Sequence, residues 1–133
     1  MEFEFLILSF LQGGRLASCS EDTSVKIWTR HGPGNKEGVV GDAWKVGYTI
    51  AGVHARAVYS IDWSREGVIV TGGGEDAIRL FREDPGVGEW VCELTQHDSH
   101  DMDINCVTFN PTDSSIIASC SDDETVKIWT LEM

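Results

Sequence analysis

Four cysteines, a pair of closely spaced histidines with aspartates around them, and a triple glycine are the residues of this sequence that could do chemistry on their own. Thiolates and imidazoles are the ligands of zinc and of iron-sulfur clusters, and either group needs several such side chains converging on one point. Cys19, Cys92, Cys106 and Cys120 show neither a CxxC nor any other clustered spacing, so four ligands would have to come from different parts of the fold. Cys19 and Cys120 each stand in Ala-Ser-Cys-Ser, a setting that suits a small packed strand residue, and the expectation is free thiols that are buried or partly buried. His97-Asp-Ser-His100, followed by Asp101 and Asp103, has the composition of a metal site but no third ligand at a compatible spacing. Gly72-Gly-Gly74 leads into a strand pattern instead of the helix whose N-terminus would hold a phosphate. No metal, cofactor, nucleotide or catalytic residue is therefore expected.

The elements that carry these residues are set by an internal repeat. Leu16-Ala-Ser-Cys-Ser-Glu-Asp-Thr-Ser-Val-Lys-Ile-Trp28, Val70-Thr-Gly-Gly-Gly-Glu-Asp-Ala-Ile-Arg-Leu-Phe81 and Ile117-Ala-Ser-Cys-Ser-Asp-Asp-Glu-Thr-Val-Lys-Ile-Trp129 align with one another. Their terminal aromatics recur roughly every 50 residues, slightly above the period of a minimal WD40 blade. Upstream of the second and third segments stand His54-x-x-x-Val58-x-x-Ile61-x-Trp63 and His100-x-x-x-Ile104-x-x-Val107-x-Phe109, identical in spacing. Alternating apolar residues punctuated by Gly, Asp and Ser place strands near residues 57–63, 68–71, 77–82 and 89–94, with no useful stretch of helical periodicity. The fold class is thus all-β: a partial WD40 β-propeller of about three blades, as one domain over residues 1–133. The blades are expected at 1–50, with a truncated N-terminus, at 51–96, and at 97–133, with the outer strand missing. Three blades leave two open ends whose apolar faces invite association.

WD40 blades carry a buried His-Ser-Asp-Trp network that ties inner strands to turns, and such a network is tolerable in a core only when every member is hydrogen-bonded. His100, Ser119, Asp123 and Trp129 fit it in the third blade. The middle blade departs from it: beside His54 it has Thr71 for Ser, Glu75 for the turn Asp, and Phe81 for Trp, whose indole N–H is the donor the network uses. The first blade keeps Ser18, Asp22 and Trp28 without an equivalent His. All of these are expected to act structurally.

Twenty-two acidic against ten basic residues give a net charge of −12, which repels nucleic-acid phosphates and anionic membranes. Acidic pairs such as Glu21-Asp22, Glu83-Asp84 and Asp122-Asp123 sit beside turn signals and read as solvated loop tips. The run Phe5-Leu6-Ile7-Leu8 follows Glu2 and Glu4, where a signal peptide needs positive charge, and it is too short to span a bilayer. Alternation in Glu2-Phe3-Glu4-Phe5 suits a half-buried strand, and residues 1–10 stand where an ordinary blade strand is expected, as in a fragment of a longer product. With no secretory signal and no clustered cysteines, a reducing cytoplasmic setting is expected, the nucleus being a second compartment left open.

Residues 16–28, 52–63, 73–85 and 100–111 resemble the C-terminal blades of the WD40 subunit of the cytosolic iron-sulfur protein assembly complex. The most distinctive stretches are His54-Ala-Arg-Ala-Val-Tyr59, Glu75-Asp-Ala-Ile-Arg-Leu-Phe-Arg-Glu-Asp-Pro85 and Asp103-Ile-Asn-Cys-Val-Thr-Phe-Asn-Pro111, while Asn35 and Trp44 fall where that family has a long inter-strand loop. The resemblance implies a non-catalytic scaffold in a seven-bladed propeller. Its partners would be the adaptors of the targeting complex and apo iron-sulfur proteins, with no nucleic acid and no membrane. A generic WD40 adaptor, such as a ubiquitin-ligase substrate receptor, is the alternative, and a cluster-binding protein in its own right is a third reading that the cysteine spacing disfavours. Arg56, Tyr59 and Arg82, on positions the repeat leaves free, are the candidate partner contacts, since Arg and Tyr are common interface anchors.

Overall fold

Alternation of β-branched and aromatic residues with polar ones, broken by glycine and aspartate turns, folds in the computed structural model into eleven strands and no helix among the described residues, which are 7–11, 14–31 and 43–132. Strands β1 (Ile7–Leu11), β2 (Arg15–Cys19), β3 (Val25–His31) and β4 (Ala43–Ile50) form one antiparallel sheet in chain order. A second holds β5 (Val58–Trp63), β6 (Val68–Gly73), β7 (Ile78–Asp84) and β8 (Glu89–Gln96), and a third holds β9 (Ile104–Phe109), β10 (Ile116–Ser121) and β11 (Val126–Thr130). The architecture is all-β, three antiparallel sheets packed face to face in sequence as successive blades of a partial propeller. Residues 1–6 and Asn35 lie outside the described residues. Trp44, expected within a long inter-strand loop, is instead the second residue of β4, paired with Arg30.

Two cores result, one in each gap between sheets. Between the first and second, Ala17, Cys19, Val25 and Ile27 meet Val58, Ile61, Trp63, Ile69 and Phe81. Between the second and third, Val68, Val70, Ile78 and Leu80 meet Ile104, Val107, Phe109 and Ile117. Successive residues of a strand face opposite ways, so the middle sheet supplies both cores. That is why β6 is buried along its whole length and why Val68-Ile-Val70 is an unbroken apolar run.

Polar groups lock the inner strands together across the second gap. The Asp62 carboxylate accepts the Phe109 N–H at 2.7 Å and the Thr108 hydroxyl at 3.2 Å, and Ser60 Oγ accepts the Val107 N–H at 3.0 Å. Across the first gap, Val58 N–H donates to the Ser20 carbonyl at 3.0 Å, and Arg15 pairs with Glu83 at 2.7 Å while its guanidinium lies 5.2 Å from the Trp63 ring centroid. Gly73 is required by this packing: a Cβ there would collide with the Ala57 carbonyl. The triple glycine therefore serves close backbone approach at the end of β6.

Candidate functional site

Each sheet repeats a polar arrangement around the hairpin of its second and third strands, and the three copies differ in completeness. In the third sheet, His100 Nε2 lies 2.7 Å from Ser119 Oγ, and Ser119 Oγ accepts the Trp129 indole N–H at 2.9 Å. The other ring nitrogen, Nδ1, lies 2.9 Å from Asp123 Oδ2 and 3.1 Å from Thr125 Oγ1. A neutral ring protonated on Nδ1 satisfies the set: indole to hydroxyl, hydroxyl to Nε2, Nδ1–H to carboxylate. Asp123 also accepts the Thr125 hydroxyl at 2.6 Å and the Asp101 N–H at 3.1 Å. The Thr125 hydroxyl foremost, against a desolvation cost, and then the Asp101 N–H and His100 hold its carboxyl far below the usual range.

The middle sheet keeps the geometry and loses most of the bonds. His54 Nε2 lies 2.9 Å from Thr71 Oγ1, but Phe81 has no N–H to add, and its ring sits 5.5 Å from the imidazole, centroid to centroid. Glu75 accepts the Ala55 N–H, as Asp123 accepts that of Asp101, and pairs with Arg79. It makes no bond to the imidazole, and His54 Nδ1 is buried without a partner. Burial first, and then the Arg79 charge, push the His54 pKa down to about 4. Glu75 is lowered: desolvation opposes its charge, but the Ala55 N–H and Arg79 prevail.

In the first sheet, Trp28 Nε1 donates to Ser18 Oγ at 2.9 Å, and Asp22 Oδ1 takes the Ser24 hydroxyl at 2.6 Å and its N–H at 2.9 Å. Those bonds, the hydroxyl first, lower the Asp22 pKa. The turn residues Thr23 and Glu124 have φ of 77° and 69°, a left-handed conformation that the flanking Asp22 and Asp123 bonds brace; the matching Asp76 does not share it.

The candidate partner contacts are scattered. Arg56 is exposed, its stem running over Gly74; Tyr59 is half-buried in β5. The single Nε–H of Arg82 is shared between the two carboxylate oxygens of Glu93, at 3.0 and 3.1 Å, beside a groove of about 250 Å³ that Leu94 and Leu131 also line. The three do not form one patch by hydrogen bond or ion pair. His97 is exposed in the turn after β8. Cys19 is buried and Cys92 half-buried, but Cys106 is exposed, contrary to the expectation of buried or partly buried thiols, and Cys120 is only half-buried although its repeat equivalent Cys19 is fully so. Both stand on the side of the third sheet that faces away from the middle one, directly opposed across β9 and β10. Nothing in the spacing of Cys106 and Cys120 announces that pairing, because it comes from the strand register. Among the described residues, no three or more of His, Cys, Asp and Glu gather as a metal-binding group. Missed altogether from sequence were Asp62 and Ser60, which clamp the third sheet through its backbone; the only trace they leave is a polar residue at an inner-strand position.

Comparison with known proteins agrees with this geometry. The WD40 model (WD domain, G-beta repeat) matches residues 8–29 and 88–130, passing over the region that holds Thr71, Glu75 and Phe81. The chain is 41% identical over 129 residues to "Probable cytosolic iron-sulfur protein assembly protein Ciao1" of Aedes aegypti, covering 90% of this chain and 38% of that protein. It is 43% identical over 111 residues to the rat protein named for the same process, covering 77% of this chain and 33% of the relative. For the human one the identity is 43% over 106 residues, covering 73% and 31%. The chain carries WD40 repeats and spans about a third of the length of the curated relatives it matches.

Proposed function

We propose that this run of WD40 repeats is a non-catalytic protein-interaction scaffold in cytosolic iron-sulfur protein assembly and in the delivery of clusters to apoproteins. The observation that carries the reading is the 41% identity across 90% of the chain with a protein named for that process. The cluster is cargo, held by partners and clients. Those partners are other proteins: the adaptors of the targeting complex and apo iron-sulfur recipients, met in the cytoplasm and in the nucleus. Residues 1–50, 51–96 and 97–133 act as successive blades.

In this reading Ser18, Asp22, Trp28, His54, Thr71, Glu75, His100, Ser119, Asp123 and Trp129 hold hairpins and loops in place for binding, without touching a partner. Arg56 is the best placed of the candidate contacts, being exposed with no hairpin role; Tyr59 and Arg82 would contribute beside it. A ubiquitin-ligase receptor is not favoured, since no observation points to it. The test is affinity purification of the tagged chain from its native cells, with partners identified by mass. Enrichment of iron-sulfur assembly adaptors and apo iron-sulfur proteins is expected, weakened by Arg56→Ala. Recovery of cullin-linked proteins in their place would overturn the assignment.

A further inference from the structure

The innermost strands of the second and third sheets, β5 and β9, end in turns of different build. The β5–β6 turn is tight: the Ser64 N–H donates to the Val68 carbonyl at 2.8 Å, and the Val68 N–H returns to Ser64 Oγ at 3.1 Å. Its counterpart between β9 and β10 is two residues longer, with the Asn110 N–H reaching the Ile116 carbonyl at 2.8 Å. Asn110 organises that longer turn. Its Oδ1 accepts the Thr112 N–H at 2.9 Å, the Thr112 hydroxyl at 3.0 Å and the Asp113 N–H at 3.2 Å. Between the two turns lies a groove of about 510 Å³, bridged at one point by a hydrogen bond from the Ser114 hydroxyl to Glu66. Both walls are inner hairpins of adjacent sheets, so the groove needs neither the first nor the last strand of the chain.

Hydrogen-bond accounting decides what such a groove can hold. Its carboxylates are engaged by the chain itself, Asp62 by the Phe109 N–H and the Thr108 hydroxyl, Glu66 by the Ser114 hydroxyl. Its donors are not. Arg65 lines the groove, is exposed, and makes no hydrogen bond or ion pair among the described residues. Asn110 commits its carbonyl oxygen to the turn, which leaves its NH2 group without a partner among the described residues. A guanidinium offers parallel N–H groups that match the two oxygens of a carboxylate, and an amide N–H adds a further donor. A cationic side chain would find the acceptors engaged and Arg65 beside it. The net charge of −12 opposes an anion at long range, but exposed charges more than about 8 Å away are largely screened at physiological salt, whereas the groove donors act in contact.

We propose that the groove between the β5–β6 and β9–β10 turns binds an aspartate or glutamate side chain of a partner segment, with Arg65 and Asn110 as its contacts. Exposed Pro111, on the same groove, offers an apolar surface to the residue beside that acid. This deepens the reading of the chain as a protein-interaction module, on which it rests, by adding a second surface. Arg56 precedes β5 and Arg65 follows it, at opposite ends of a six-residue strand that spans roughly 20 Å. No single carboxylate reaches both, so a partner in the groove does not compete for Arg56.

The test is selection by the immobilised 133-residue chain from a mixed-sequence library of linear peptides, amidated so that side chains alone supply carboxylates. Enrichment of Asp or Glu at one position is expected. The selected peptide should bind Arg65→Ala and Asn110→Asp about tenfold more weakly or worse, the loss of a hydrogen bond to a charged group. Arg65→Ala removes an exposed side chain that has no partner, and Asn110→Asp keeps Oδ1 for the turn while replacing the donor, so both should melt as the wild type does. Arg56→Ala should select the same peptides. Absence of acidic enrichment, enrichment of Lys or Arg in its place, or acidic enrichment that survives Arg65→Ala would overturn the proposal. Capture of iron-sulfur assembly proteins through Arg56 is read in a separate experiment, so the two readings can fail independently.

Discussion

The middle and third sheets place a buried histidine at the same point of the same hairpin and give it opposite surroundings. His100 has a partner on each ring nitrogen, and its Ser119 is itself bonded to an indole. His54 has Thr71 on one side and nothing on the other. The difference follows from three substitutions. Phe81 removes a donor, Glu75 puts its carboxylate on Ala55 and Arg79, and Ala77 stands where Thr125 braces Asp123. Since the middle sheet is buried on both faces by apolar packing, it tolerates an incomplete network. The third sheet has its complete network on the face that packs against the middle sheet, where Ser119 pairs with Val107 and Trp129 packs against the shared core.

The strongest way to break this comparison is to make both histidines apolar. His100→Leu leaves the Ser119 hydroxyl, the Asp123 carboxylate and the Thr125 hydroxyl short of a partner and should cost roughly 3–4 kcal/mol. His54→Leu strands only Thr71 and removes an unpaired nitrogen, so it should cost less than about 1 kcal/mol. Urea unfolding of the two variants measures the difference, and equal losses would mean that the third-sheet network carries no special share of stability.

Acid separates the two histidines by another route. The His54 pKa falls from 6.5 to about 4 in the folded chain, so between those values the unfolded chain binds the extra proton. Stability must then decline as pH drops through that window, by about 3 kcal/mol when it has been crossed. Asp22 and Asp123, both lowered below 3.8, add stability that is lost only at lower pH, as they are protonated. Denaturation midpoints between pH 7 and 4 should therefore fall in the wild type and stay nearly flat in His54→Leu.

The repeat made much of this readable in advance. A segment recurring three times with its Ser, Asp and Trp in register specifies hairpins, and the strands placed at 57–63, 68–71, 77–82 and 89–94 overlap β5 to β8. The weakness of the middle network was also legible, since Phe81 cannot donate. What Glu75 does was not, because the extra methylene lets it choose between His54 and Arg79, and only the packed geometry decides. Nor was the exposure of Cys106 and Cys120. A strand pattern tells which residues share a face but not whether another sheet lies over it. Asp62 clamps Phe109 through the backbone N–H, a partner that carries no signature of residue type.

Shortening the Glu75 side chain sharpens the comparison with a smaller effect. In Glu75→Asp the carboxylate loses reach toward Arg79 and regains the position from which Asp123 meets His100. A bond to His54 Nδ1 should then form, worth about 1 kcal/mol, and raise the His54 pKa, since a nearby negative charge favours the imidazolium. Titration of the His54 ring by NMR should show the midpoint moving up from about 4, narrowing the acid window. A midpoint left in place would mean that Ala55, and not Arg79, fixes the carboxylate.

The weakest contrast lies on the surface, between Arg82 and Arg56. Arg82 is gripped by Glu93, but the two side chains are 39% and 47% exposed, so solvent screens the pair. Arg82→Ala should change stability by no more than about 0.5 kcal/mol. Any loss of partner capture from this variant must then come from the contact surface and not from unfolding. Arg56 starts without that competing carboxylate, so an incoming acidic group need not displace one. The two alanine variants, matched in stability by thermal melting, should differ in pulldown, Arg56→Ala losing more partner than Arg82→Ala. The reverse order would shift the contact surface to the groove beside Leu94 and Leu131, where Arg82 would have to exchange Glu93 for a residue of the partner.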